Sequence, residues 1–119
     1  MIMISIDDFK KTEIKIGEIR SAEKVPDSDK LLKLSVDFGD NTAPTGEMVK
    51  DVRQIISGIA EYVPEPASLI GRKFPFVTNL EPRIIRGLES QGMILAVGGE
   101  SGFSFLSADQ TIPPGSPVR

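Results

Sequence analysis

Apolar and polar positions alternate most clearly between Leu32 and Phe38, where Leu32, Leu34, Val36 and Phe38 are separated by Lys33, Ser35 and Asp37. A period of two marks a strand with one buried face. Other strands are expected on both sides of it. Ile14, Ile16 and Ile19 outline one whose phase changes near Gly17, where a bulge or sharp bend is expected. Residues 51–59 read as a third, mostly apolar strand. Residues 73–80 read as a fourth, with Phe74 and Phe76 on one face. Pro75 cannot donate to a ladder, so it points to a sheet edge or a bulge. Residues 92–97 form another buried strand in this reading, and residues 103–106 a short one.

The intervening segments carry stop and turn signals. Ser5 can cap one helical turn, with Asp7 and Asp8 at its positive end and Lys10 and Lys11 at the other. Such a turn is unstable alone, so Ile6 and Phe9 are expected to pin it to a sheet. Residues 25–29 form a turn, and Asp27 and Asp29 shape it. Residues 39–50 read as an exposed polar loop, long for a hairpin connection. Residues 62–70 read as a short helix or turn, with Pro66 at a first helical position and Gly71 at the stop. Residues 81–89 form a connecting loop, Gly98 and Gly99 turn the chain, and residues 112–115 close the domain. No repeat or linker interrupts the 119 residues, so residues 1–119 are expected to be one domain. Many short strands, with one small helix between the third and fourth, predict an all-β OB-fold, a five-stranded Greek-key barrel.

Composition narrows the chemistry. The chain has no cysteine and no histidine. Disulfides, Cys/His zinc sites and triads that use either residue are therefore excluded. No cofactor and no metal are expected. There is no Walker-type phosphate loop, and no Asp/Glu pair has a context that points to catalysis, so an enzyme is not expected. The apolar opening Met1–Ile6 lacks a basic flank and is cut short by Asp7 and Asp8, unlike a signal peptide. No apolar run approaches the ~20 residues that span a bilayer, so a cytoplasmic chain without membrane contact is the expectation. The net charge is −3. Between Gly71 and Met93, however, Arg72, Lys73, Arg83 and Arg86 outnumber Glu81 and Glu89. A locally basic segment on an acidic body is compatible with phosphate binding.

One segment goes beyond pattern. Asn79-Leu80-Glu81-Pro82-Arg83-Ile84-Ile85-Arg86-Gly87-Leu88-Glu89-Ser90-Gln91-Gly92-Met93 closely resembles the signature of the tRNA-binding domain family. That family includes the C-terminal appendage of methionyl-tRNA synthetase and free-standing dimeric proteins. Related domains occur in the phenylalanyl-tRNA synthetase β subunit. Ile4–Phe9, Asp29–Leu34, Arg53–Ile59 and Pro113–Ser116 resemble other family segments in the expected order. The resemblance implies an OB barrel with a C-terminal extension used for dimerisation. It also implies a homodimer that binds tRNA by shape without aminoacylating it, with a synthetase catalytic domain as a possible partner. Two departures stand out. Family members often carry lysine where this chain has Glu81 and Ile84, and the 40–50 loop is longer than in many relatives.

The chemistry of the signature fits that role. Arg83 and Arg86 can neutralise phosphates or stack on bases. Asn79, Ser90 and Gln91 can exchange hydrogen bonds with base edges or sugars. Met93 offers a soft apolar surface to a base. Lys33 and Arg53 lie in the polar phase of neighbouring strands and are expected to face the same groove. Each residue also has a plainer role open to it. Asn79 could fix a turn, Ser90 could bond locally, Met93 could be core, and Lys33 and Arg53 could protect an edge or face solvent. Gly87 and Gly92 serve backbone geometry. Phe74, Phe76, Phe103 and Phe105 are expected to be core or interface residues, which leaves few stacking platforms. Two other functions stay open: a chaperone-like peptide-binding role and a module that dimerises a synthetase.

Overall fold

Strand β1 (Ile14–Lys24) is the central strand of the five-stranded sheet, paired along both its edges. The computed structural model describes residues 1–119. β1 runs antiparallel to β2 (Leu32–Thr42) on one side and to β4 (Lys73–Val77) on the other. β3 (Met48–Ser57) extends the sheet beyond β2, and β7 (Met93–Ile94) extends it beyond β4. The strand order is therefore β3-β2-β1-β4-β7. Between β4 and β7 the chain forms a separate hairpin, β5 (Arg83–Ile85) and β6 (Leu88–Ser90). After β7 comes another, β8 (Ala96–Gly99) and β9 (Gly102–Phe105). Two short 3-10 segments, Ala60–Tyr62 and Pro66–Leu69, link β3 to β4, with Pro66 at the start of the second.

The sheet curls until β3 reaches the chain that follows β6. There the Gln91 N–H donates to the Gln54 carbonyl at 2.8 Å. The result is the expected OB-type barrel. Leu32, Leu34, Val36 and Phe38 point inward as their alternation predicts, against Ile55, Phe74 and Phe76. On β1 the phase change is real but has another cause. The ladder irregularity lies between Ile19 and Ser21, not at Gly17. Gly17 occupies an inward position, and a Cβ there would overlap Val36 and Phe38. It is glycine because two side chains fill its space.

Several local expectations need correction. The 39–50 loop is a projecting arm in which β2 and β3 pair as far as Thr42 and Met48. Its apex is closed by bonds from Ala43 to Glu47 and from Gly46 to Ala43. Residues 81–89 are the β5–β6 hairpin rather than a loop. Residues 92–97 are not one buried strand, because the ladder breaks at Leu95 and only Ile94 among them is buried. Gly98 and Gly99 belong to β8, and the turn falls on Glu100 and Ser101. Pro75 sits on an interior strand. Its carbonyl accepts from Leu95, so its nitrogen faces the side where β7 has ended and no N–H is required.

Helix α1 (Ile6–Lys10) forms with its Ser5 cap, which accepts from the Asp8 N–H at 3.0 Å. Ile6 and Phe9 do not pin it, for both are exposed. Polar bonds hold the segment that follows instead. Asn79 donates to the Lys11 carbonyl at 2.6 Å and accepts from the Glu13 N–H at 2.7 Å.

Candidate nucleic-acid interface

The β5–β6 hairpin turns on Arg86 and Gly87, both left-handed, with φ of 53° and 78°. Two positive-φ residues make the tight turn whose twist matches antiparallel strands. The conformation is uncommon for an arginine, so some strain is retained at that tip. It places Arg86 at the apex of the hairpin, exposed to solvent. Arg83 is exposed near the base, and Ile84 lies exposed opposite Glu89. The tip stands against the β1–β2 turn. Ile85 and Arg86 share a shallow cleft with Asp27, Ser28, Asp29, Lys30 and Leu31. Asp27 is the other non-glycine residue with positive φ, at 63°.

Other signature residues work inside the protein. The Ser90 hydroxyl is buried, accepts from the Ile56 N–H at 3.0 Å and donates to the Gly92 carbonyl at 3.1 Å. Gln91 Oε1 accepts from the Gln54 N–H at 3.2 Å. Gln54 Nε2 in turn donates to the Glu89 carbonyl at 2.9 Å. Side chains thus complete the edge of β3 where no regular strand reaches it. Asn79 has both ends of its amide occupied by Lys11 and Glu13. Met93 remains exposed, at 44%.

Lys33 and Arg53 do not share a groove. Val36 pairs with Arg53, whereas Lys33 pairs with Ile56. Partners in register point to one face, so Arg53 goes with the inward Val36 and Lys33 with the outward phase. Arg53 lies at the mouth of the barrel, 5.3 Å from the centre of the Phe38 ring. It donates to Asp51 through Nε at 3.0 Å and Nη2 at 3.1 Å. Lys33 pairs with Glu23 at 2.7 Å on the outer face. The parity was obscured because Ile55 and Ile56 are both buried, one by the core and one beneath the hairpin side of β3.

The basic window also divides. Lys73 is buried and donates to the carbonyls of Gln110 and Ile112 at 2.8 and 2.7 Å. Arg72 lies over the rings of Phe74 and Phe105, at 4.9 and 5.1 Å. Only Arg83 and Arg86 remain on the hairpin, beside Glu81 and Glu89. Phe103 and Phe105 belong to an aromatic stack. Phe105 packs on Phe74 and Phe103 on Tyr62, each pair with ring centres 4.5 Å apart.

Sequence reasoning missed one charged cluster at the root of the β2–β3 arm. Asp37 is buried and accepts from Arg20 and from the Gly39 N–H, and Lys50 lies 3.6 Å away. Burial raises its carboxyl pKa, but the Arg20 hydrogen bond, the Gly39 amide and the two cations outweigh this and hold it below the ordinary value. The alternation that places Asp37 outward gave no sign that Arg20 and Lys50 would cover it. No helix is long and apolar enough to cross a membrane.

Comparison with known proteins converges on one family. A model described as "Putative tRNA binding domain" matches residues 14–117. The methionine–tRNA ligase of Methanospirillum hungatei is 46% identical over 116 residues, 98% of this chain. That of Methanococcus aeolicus is 45% identical over 119 residues, 99% of this chain. The chain spans only 16% of the length of either relative. Among solved structures, a MetRS-related protein from Pyrococcus horikoshii superposes with a TM-score of 0.86 at 37% identity, covering 100% of both chains. The CsaA chaperone protein of Picrophilus torridus gives 0.79 at 25% identity, covering 98% of this chain and 100% of that one.

Proposed function

From the premise that this chain belongs to the tRNA-binding domain family and is related to the C-terminal domain of methionyl-tRNA synthetase, we propose that it is a non-catalytic module binding tRNA through the β5–β6 hairpin. The observation that carries this reading is the exposed Arg83 and Arg86 on a hairpin braced against the barrel. Phosphate contacts from such residues supply affinity and make it salt-dependent. Lys33 and Met93 are accessible to add contacts near the hairpin. Arg53, Asn79, Ser90 and Gln91 belong to the same site chiefly by holding it in place. With only two arginines beside two glutamates, affinity is expected to be modest. Titration of folded tRNA and of an unstructured RNA of equal length, at low and moderate salt, tests the reading. Preferential, salt-sensitive binding of tRNA is expected, and no binding at low salt would refute it.

The proposal includes a homodimer. Met1, Ile2, Met3, Ile4, Ile6 and Phe9 are all exposed, and Ile6 and Phe9 line a groove with Val118. An apolar surface of that kind is costly to leave in water. A second copy would cover it and would also double the number of arginines offered to one RNA. Sedimentation of the intact chain and of Phe9→Asp is expected to show a dimer and a monomer. If the intact chain is monomeric and suppresses aggregation of an unfolded client, the same surface favours the chaperone-like reading.

A further inference from the structure

We propose that Arg53, oriented by Asp51, is a positioning residue: it fixes the hairpin to the barrel and so sets where Arg83 and Arg86 meet RNA, without touching RNA itself. This rests on the hairpin being the RNA-binding element. The segment carrying it leaves the barrel after Thr78 and rejoins it at Gln91. Arg53 Nη1 donates to the Thr78 carbonyl at 2.6 Å and makes a longer contact, 3.5 Å, with the Gln91 carbonyl. One guanidinium therefore ties both roots of the segment to β3.

The charge of Arg53 is already committed. Asp51 takes two of its donors, and the two side chains are only 22% and 14% exposed. Asp51 is itself held by Asn41 at 2.9 Å. A guanidinium paired in this two-point manner has little to offer a phosphate unless it abandons both its carboxylate and the Thr78 carbonyl. Lysine, a single point charge, cannot make the same bridge.

The two possible roles give opposite signs for Asp51→Asn. If Arg53 bound phosphate, removing its carboxylate would free a cation and strengthen tRNA binding. As a positioning residue, Arg53 loses its orientation, and the folded variant is expected to bind tRNA about five- to tenfold more weakly, since the hairpin must be ordered on binding. The salt slope is expected to stay unchanged, because no phosphate contact is lost. Arg53→Lys should be as impaired as Arg53→Met, whereas a phosphate contact would be largely kept by lysine. Amide exchange in the RNA-free protein supplies an independent arm. Faster exchange at residues 83–91, with β1 and β2 unchanged, is expected in Asp51→Asn and Arg53→Lys. Stronger or unaltered binding by Asp51→Asn, or unaltered exchange at the hairpin, would overturn the proposal. If the wild-type chain bound no tRNA, the functional reading would fail, and the exchange result alone would decide whether Arg53 positions the hairpin.

Discussion

Two of the hairpins on this barrel, the β2–β3 arm and β5–β6, are built in opposite ways. The β2–β3 arm is a continuation of two barrel strands, and beyond Asp51 its residues touch little else. Met48, Val49 and Val52 are exposed along it, and its charged contacts gather at its root, on Asp37 and Asp51. The β5–β6 hairpin shares no ladder with the barrel. It is fixed instead by bonds from Ser90, Gln54, Gln91 and Arg53 to backbone groups. The lesson is that a regular ladder can carry an element outward without fixing where its end lies. Specific side-chain bonds can fix a short element at both roots, and only the braced hairpin presents unpaired arginines at a set place.

The largest effect expected from that difference is on binding. Replacing Arg83 with Ala and Arg86 with Asn should weaken tRNA binding by about 2–4 kcal/mol, taking charge-assisted contacts at about 1–2 kcal/mol each. Asparagine tolerates the left-handed turn, so the hairpin should survive. The slope of log affinity against log salt should fall by about 1.5. An unchanged slope would remove phosphate contacts from the hairpin's role. Next, Ser90→Ala should cost about 1–3 kcal/mol of stability, because it strands the buried Ile56 N–H. Denaturant unfolding measures it, and a loss within experimental error would mean that the bracing is not energetic.

The arm is expected to respond differently. The Asp37 carboxyl has a lowered pKa in the folded state, so its contribution is present above the unfolded value and is lost as pH falls through the folded one. Stability should therefore drop on acidification below about pH 4, and Asp37→Asn should flatten that part of the profile. A variant profile parallel to the wild type would place the acid sensitivity elsewhere. The smallest effect belongs to the arm's end. Shortening it by joining Thr42 to Met48 through a two-residue turn should change stability by less than about 0.5 kcal/mol, as for other surface changes. tRNA affinity should stay within about twofold, a factor worth only some 0.4 kcal/mol. A larger loss of affinity would show that both hairpins share the interface.

Sequence pattern carried far where one face of a strand is uniformly apolar. Leu32 to Phe38 fixes its own register, and Phe74 and Phe76 follow the same logic. It failed where burial comes from both faces or from polar partners. Ile55 and Ile56 hid the parity of Arg53, and Asp37 gave no hint of Arg20 and Lys50. The arm read as a loop because Gly39, Asp40 and Asn41 have poor strand propensity. The pairing of Asp40 and Asn41 is imposed by the ladder that precedes them. Residues 81–89 read as a loop because the Arg86–Gly87 turn lacks the usual Asn or Asp at its first position.

By itself, the sequence determined the family, the barrel class and the inward faces of the main strands. The barrel class and the inward faces follow from apolar side chains repeated at fixed spacing, which burial converts directly into structure, whereas the family follows from the resemblance of the segment from Asn79 to Met93. Only the tertiary structure decided which signature residues remain free. Asn79, Ser90, Gln91 and Arg53 find partners far along the chain, at separations set by barrel closure. Arg83 and Arg86 stay exposed on the hairpin. A polar side chain is spent or available according to which backbone groups the fold leaves open beside it, and no local pattern records that.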